Sequence, residues 1–288
     1  MKTSLPNSST STPQVLADLH CHSLCSDGQL SPADLVDRAV AMGVGMLALT
    51  DHDTLSGLPE AKRQAQQHDI DIINGIEFSC VFSGMGIHVV GLGFDETHPG
   101  MLAAVALQEN RRKERAITIA ERLEKKGAHG VLQEAQRIAN GAQLGRPHFA
   151  QALINMGKVS NMAQAFKKYL GAGKPGDVKA LWPDLSEVVG WITEAGGVAV
   201  LAHPDSYKLT RTKLKLLLSA FTQAGGRGVE VVTSTMESSF TRRMSEMCEE
   251  FNLLASQGSD FHGPKPWTEL GRFPKMPSQL TPVWSHWQ

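Results

Sequence analysis

The sequence predicts an α/β protein: a mostly parallel sheet of about seven strands covered by helices, compatible with a small β/α barrel and interrupted by a helical insertion. Three observations carry this. Apolar strand-like runs alternate with helical patterns at the spacing of βα units. The rhythm breaks once, between residues 101 and 170, where helical patterns stand alone. Ionisable residues gather at the ends of the strand-like runs, and a parallel sheet brings such ends to one face.

The run VLADLH at 15–20 is the first strand. SPADLVDRAVAMG then reads as a helix: Ser31 can cap it, Pro32 suits its first position, and Asp34 can close a capping box. VGMLALTDHD is an apolar strand ending in charged residues at 51–53, followed by a helix from about Gly57 to His68. DIDIINGIEF makes a third strand ending at Glu77, and IHVVGLG at 87–93 begins a fourth at His88. LAAVALQENRRKERAITIAERLEKKG predicts one long helix, with shorter ones around VLQEAQRIAN, RPHFAQALINMG and NMAQAFKKYL. Strands resume at GGVAVLAHP, GRGVEVVTS and FNLLASQGSD, with helices near 211–224 and 238–250 between them. The expected division is a polar tail at 1–14, a barrel from 15–100 and 171–288, and a helical insertion at 101–170. Beyond His262, a proline-rich stretch with Trp267, Trp284 and Trp287 reads as an irregular tail whose aromatics are packing anchors.

Composition excludes several classes of function. Lys plus Arg total 28 against 29 Asp plus Glu, a net charge of -1, which offers no general polycationic surface for wrapping duplex nucleic acid. Phosphate substrates remain open, because bound cations reverse the electrostatics of an acidic pocket. Cys21, Cys25, Cys80 and Cys248 form no close CxxC pairs and follow no secretory leader, so a reduced, cytoplasmic protein is expected. No apolar stretch is long enough to span a membrane.

The chemistry is written at the strand ends. In His20-Cys21-His22 the i,i+2 spacing points both imidazoles the same way in extended backbone. Asp260-Phe261-His262 repeats the spacing with a carboxylate first, while Asp27, His52, Glu77, His88 and His203 lie at neighbouring ends. Imidazole nitrogens mixed with carboxylates suit zinc, manganese or iron, whereas magnesium or calcium would favour oxygen alone. Asp51 and Asp53 read as caps of the following helix or as groups orienting His52. Cys21 points into the barrel wall. Arg146 and His148 in GRPHFA could hold a phosphate, Arg by a bidentate fork and His by donating a proton, although His148 reads equally as a structural residue. Lys125, Lys126, Lys167, Lys168 and the stretch from Arg111 to Arg115 read as solvated helix faces, with guidance of a nucleic-acid strand the sharper alternative. His68, His98, His129 and His286 read as surface residues. GLGF and GAGKPG complete neither a dinucleotide fingerprint nor a phosphate loop, and no nucleophile elbow occurs.

DLHCHSLCSDG, LTDHDT, GIEFS, HVVGLG, LAHP and SDFH together resemble the polymerase-and-histidinol-phosphatase (PHP) superfamily of metal phosphoesterases, over residues 18 to 262. With GRPHFA in a helical insertion, the sequence is most similar to the group of ribonuclease AM and the 3',5'-nucleoside bisphosphate phosphatases. The resemblance implies a distorted seven-stranded (β/α)7 barrel with three divalent metal ions, usually manganese, in its C-terminal cleft. Carried onto this chain, it implies His20, His22, Glu77 and Asp260 at the first ion. Glu77 would bridge to a second completed by His88 and His203, and Asp27, His52 and His262 would hold the third.

The implied reaction is hydrolysis of nucleoside 3',5'-bisphosphates at the 3'-phosphate and of 5'-phosphorylated RNA from its 5' end to mononucleotides. His148 or an aspartate at the cluster, Asp27, would protonate the leaving oxygen. The alternatives are histidinol-phosphate or another small-molecule phosphatase, and a metal-stabilised binding module without activity. The expected partners are the bisphosphate and 5'-phosphorylated RNA or short oligonucleotides, with no membrane and a monomer as the simplest state.

Overall fold

A computed structural model describes residues 15–234 and 236–287; the expected tail at 1–14 lies outside them. β1 (Ala17–Cys21), β2 (Met46–Leu49), β3 (Asp71–Phe82), β4 (Met85–Leu92), β5 (Val198–Leu201), β6 (Gly228–Thr233) and β7 (Leu254–Gly258) form one sheet in sequential order. Among the described residues there are thus seven strands, in a nearly closed barrel. β1, β2, β5 and β6 are buried along their whole lengths, as expected of strands covered on both faces.

Two pairings depart from the expected parallel pattern. β4 runs antiparallel to both β3 and β5. β3 does not stop at Glu77 but continues five residues further, to Phe82, and turns at Ser83-Gly84 into a hairpin with β4. Ser83 and Gly84 both have positive φ, 48° and 74°, the geometry of a tight hairpin turn. Because β4 is reversed, its N-terminal half lies at the rim where the parallel strands end, so His88 in mid-strand still reaches that rim.

The inner layer of the barrel can be read from its packing. Ala17, Leu19, Met46, Ala48, Val90, Val200 and Ala202 pack with Val283 and Trp284 of the C-terminal 3-10 turn, and this cluster of described residues includes none from an α-helix. The alternate residues Leu47, Leu49, Ile76, Phe78, Val89, Leu201 and Val229 face the helices. Those helices are α1 (Pro32–Ala41) and α2 (Leu58–Ala65) on one flank, and α7 (Leu185–Glu194), α8 (Arg211–Gln223) and α9 (Ser238–Phe251) on the other. Ser31 caps α1 as expected, accepting from Asp34 N at 3.1 Å, but the Asp34 carboxylate takes the Ser31 hydroxyl instead of closing the box on its backbone amide. Of the tail tryptophans, Trp284 is buried in the barrel floor whereas Trp267 is exposed.

Between β4 and α7 lie α3 (Pro99–Glu124), α4 (Val131–Ala139), α5 (Arg146–Asn155) and α6 (Met162–Ala165), the last continuing as one wider π turn through Phe166–Leu170. Ile119, Leu123, Val131, Phe149 and Leu153 give these helices a core of their own. The first turns of α3 pack on the barrel instead, through Met101 and Ala104.

Candidate metal centre and its pocket

Strand alternation delivers the site. On β3, Ile76, Phe78 and Cys80 face the helices, so Glu77 and Ser79 face the barrel mouth. On β1 the register shifts between Asp18 and Cys21, one extra residue against β2, and this bulge directs both Leu19 and His20 inward while Cys21 packs outward against α1 and α2. β7 closes against β1 just beneath: a Cβ on Gly258 would sit 2.4 Å from that of His20, so only glycine permits the approach. Asp260 N donating to His20 O at 2.9 Å and His22 N donating to Phe261 O at 2.8 Å complete the seam. His203 and Asp260 leave their strands with φ of 26° and 52°, strained values for non-glycine residues that turn both side chains to the mouth.

Glu77 is the hub. Its Oε1 lies 2.9 Å from both His88 Nδ1 and His203 Nε2. Its Oε2 lies 2.9 Å from His52 Nδ1, 3.3 Å from His22 Nε2 and 3.4 Å from His20 Nε2. Asp260 Oδ1 is 3.5 Å from His22 Nε2 and 3.6 Å from His20 Nε2, and Asp27 Oδ1 is 3.3 Å from His262 Nε2. All nine residues singled out in the sequence as ligands therefore meet in one mouth.

Protons alone serve this arrangement poorly. His20 Nε2 and His22 Nε2 approach to 3.2 Å, and His88 Nδ1 and His203 Nε2 to 3.3 Å. Asp27 Oδ1 and His52 Nδ1 are buried and make no aligned hydrogen bond, although His262 Nε2 and Glu77 Oε2 lie 3.3 Å and 2.9 Å from them. Donor atoms of His22, Asp27, His52 and His262 lie within 4.8 Å of one another, as do those of His20, His22 and Glu77 and those of His52, Glu77 and His88. Converging lone pairs, buried polar atoms without an aligned partner and a mixed nitrogen and oxygen set fit a site for several divalent cations.

Charge is coupled across the mouth. Burial disfavours charge on every member, yet His52, His88 and His20 hold the Glu77 carboxyl well below its ordinary range. Burial likewise opposes the His262 cation, but Asp27 and Asp260 push it up to about 10. His203 is driven to about 9, where its bond and charge interaction with Glu77 outweigh desolvation. His22, buried beside His262, falls to about 3.

The supporting groups were less visible in sequence. Glu230 on β6, 1% exposed, places Oε1 2.6 Å from His20 Nδ1 and accepts from His203 N at 2.5 Å through Oε2. Its one signal is a lone carboxylate inside the apolar run GVEVVT. Ser206 Oγ sits 2.9 Å from His203 Nδ1, leaving Nε2 toward Glu77. Neither Asp51 nor Asp53 caps α2, which starts without a side-chain cap. Asp51 accepts from Ser23 N at 2.8 Å and Ser26 Oγ at 2.5 Å, tying down the loop after β1. Asp53 accepts from Ser79 N and Gln108 Nε2, both at 2.8 Å, and from Arg112 Nε at 2.7 Å.

That last contact corrects the reading of the 111–115 stretch as a solvated face. Arg112 and Arg115 are each 6% exposed, whereas Lys125, Lys126, Lys167 and Lys168 are exposed. The stripe Leu123, Ile119, Ala116, extended toward the start of α3 at helical spacing, lands on Arg115, Arg112 and Gln108, so periodicity could have found them. Both arginines line a cavity of about 130 Å³ together with Arg146, Trp182 and the centre's own Asp27, His52 and His88. Arg146 opens α5 and donates to Leu170 O at 3.3 Å. His148 does not line this cavity; its Nδ1 accepts from Gly145 N at 3.0 Å, so a neutral ring carries its proton on Nε2, and burial lowers its pKa. His68 pairs with Asp37 at 2.7 Å, His129 is exposed, His98 is half-buried, and the side chain of His286 lies outside the described residues. No helix among the described residues is long and apolar enough to cross a membrane.

Comparison with known proteins points the same way. A family model of the PHP domain matches residues 18–172. The chain is 44% identical to a 5'-3' exoribonuclease of Haemophilus influenzae, across 93% of this chain and 97% of that protein. It is 39% identical to a 3',5'-nucleoside bisphosphate phosphatase of Chromobacterium violaceum, across 93% and 94%. A solved structure from Chromobacterium violaceum, described as an amidohydrolase with bound sulfate and no metal, superposes with a TM-score of 0.88 at 38% identity, covering 94% of this chain and 95% of that one.

Proposed function

The chain belongs to the PHP family of metal phosphoesterases, and on that premise we propose that it hydrolyses nucleoside 3',5'-bisphosphates at the 3'-phosphate and 5'-phosphorylated RNA stepwise from the 5' end. One observation carries the reading: a single cavity joins Asp27, His52 and His88 of the metal centre to Arg112, Arg115 and Arg146, so a phosphate ester placed there meets both.

The residues that would hold the ions are His20, His22, Glu77 and Asp260 for one, Glu77, His88 and His203 for a second, and Asp27, His52 and His262 for a third. Manganese is the expected metal, and zinc or iron suit the same donors. When bound, such ions supply Lewis acidity toward phosphoryl oxygens and lower the pKa of water. The protein does the rest. Glu230 sets the tautomer of His20, and Ser206 holds the His203 ring through Nδ1, so that each imidazole turns Nε2 to Glu77. Arg146 donates to a phosphate oxygen with a group that remains cationic at neutral pH. For the leaving oxygen, Asp27 lines the cavity but is held as a carboxylate, against burial, by His52 and His262, and neutral His148, outside that lining, offers an Nε2–H hydrogen bond and no acidic proton.

The test is product analysis on manganese-loaded protein, with adenosine 3',5'-bisphosphate and matched short RNAs bearing a 5'-phosphate or 5'-hydroxyl. The expected result is inorganic phosphate from the bisphosphate and 5'-mononucleotides from the phosphorylated strand alone. Phosphate release without strand shortening would leave a small-molecule phosphatase, and no turnover of either would refute the proposal.

A further inference from the structure

Resting on the stepwise 5'-to-3' reading above, a strand cut at the centre has to lead away from the mouth, and the structure leaves one side of the rim open for it. The insertion roofs the other side. Gln143 N donates to Cys25 O at 3.3 Å, Arg112 reaches Asp53, and Gly145, Pro147 and Phe166 line the cavity that adjoins the centre. Toward β7 the metal ligands come into the open. The Asp260 side chain is 38% exposed, more than that of any other of the nine, whereas His20, His22 and Glu77 are exposed by 1% or less.

Residues 263–268 follow directly on His262 and form this part of the rim. Gly263 packs so closely on Gln29, in the loop after β1, that a Cβ there would lie 2.5 Å from the Gln29 Cδ. Lys265 and Thr268 form an antiparallel bridge, with Thr268 N donating to Lys265 O at 3.3 Å, so Pro266 and Trp267 make the tip of a tight turn. Thr268 and Leu270 are buried, and Arg38 Nε donates to Glu269 at 2.8 Å, which anchors the base of that turn.

Trp267 at the tip is 67% exposed, whereas Trp284 is 5% exposed and Trp191 packs on Phe78. An indole so placed buries little area and contributes little to the fold. Five residues of chain keep it within about 17 Å of His262. Its neighbour Lys265 has no carboxylate oxygen within 4.0 Å among the described residues, and residues 263–268 carry this one cation and no acid. Glu269, just beyond, is neutralised by Arg38. An exposed aromatic face with a cation beside it is the arrangement that holds single-stranded nucleic acid without reading its sequence: a base stacks on the ring and the cation meets the backbone. It needs no general basic surface, in keeping with a net charge of -1.

We propose that Trp267 and Lys265 bind the strand on the 3' side of the cut, the ring stacking on the base of one of the first nucleotides beyond the scissile bond and the ammonium meeting a phosphate next to it. A bisphosphate ends at its 3'-phosphate and never reaches this surface, so the platform acts on RNA alone.

The test uses manganese-loaded protein with adenosine 3',5'-bisphosphate and with 5'-phosphorylated RNA tetranucleotides, unmodified or abasic at the second, third or fourth position. It reads kcat/KM for release of the first nucleotide as a ratio to that for the bisphosphate. In the wild type, an abasic residue at one of the three positions should lower this ratio by about tenfold, the scale of one base stacked on an aromatic ring. Trp267→Ala should lower the ratio for the unmodified strand by about the same factor and abolish the abasic response, because both changes remove one contact. Trp267→Phe should restore most of the ratio, and Lys265→Gln should lower it at low salt more than at high salt. Wild-type turnover indifferent to the abasic residue at all three positions, or an alanine variant that keeps both the ratio and the abasic response, would overturn the platform while leaving 5'-to-3' hydrolysis intact. No strand shortening by the wild type would instead refute the function on which the platform rests, and the platform with it. The wild-type series stands even if a variant does not fold.

Discussion

Glu230→Gln is the sharpest test of how the barrel presents its ligands. The carboxylate joins two ligand-bearing segments, through Oε1 to His20 Nδ1 at 2.6 Å and through Oε2 to His203 N at 2.5 Å. Being acceptor-only, it obliges His20 to carry its proton on Nδ1 and to present the Nε2 lone pair toward Glu77 and Asp260. Glutamine keeps the shape but turns an NH2 toward one of these two donors. Either the His203 amide loses its partner, or His20 flips to the tautomer whose Nε2 carries a proton into the metal site. A hydrogen bond to a charged group is worth about 1.5–3 kcal/mol, which corresponds to roughly 10- to 150-fold in affinity. Manganese affinity, measured by competition with a chelator, should weaken by about that factor, and excess manganese should restore turnover. Affinity within about twofold of wild type would refute the assignment of Glu230 as the residue that sets the His20 tautomer.

Three further outcomes are expected. Glu77→Gln should lose bound metal and turnover together, by elemental analysis and phosphate release, because five imidazoles face this one carboxylate; full metal content with full activity would contradict the hub. Asp53→Asn leaves the buried Arg112 unpaired and should cost about 3–5 kcal/mol in denaturant unfolding, and the Asp53→Asn/Arg112→Met double variant should recover part of that loss. In metal-free protein His203 and His262, raised to about 9 and about 10, are protonated at pH 7.5, and Glu230 and Glu77 raise His20 well above its ordinary value against burial, so loading should expel at least two protons. Calorimetry in buffers of different ionisation enthalpy measures this directly. Because both values lie above the unfolded 6.5, their stabilisation of the metal-free fold is complete below about pH 6.5 and is lost as pH rises through 9 to 10.

The candidate ligands were legible because local spacing encodes them. His20 and His22 stand two apart in extended chain, and Asp260 and His262 repeat that spacing at the end of the last strand. The length of β3 was misread because a charged Glu77 looks like the end of an apolar run. The residues after it, FSCVF, belong to a hairpin whose reversed partner also carries His88. Arg112 and Arg115 were misread because a dense local charge run resembles solvated surface, and their partners lie far off in the chain: Asp53 is 59 positions away, and the Val178 carbonyl 63.

Helix caps, strand alternation and the choice of donor groups are set by interactions within a few residues, so the α/β class, the seven strands and a nitrogen-and-oxygen metal site follow from the sequence alone. Tertiary structure decided how those groups meet. It placed five imidazoles around Glu77, set Glu230 behind His20 across 210 positions, and buried Arg112 against Asp53 and Arg115 without a carboxylate beside the centre. Charge falls off over ångströms of space and takes no account of distance along the chain. Which carboxylate answers which cation is therefore settled only when the barrel closes and the insertion packs against its rim.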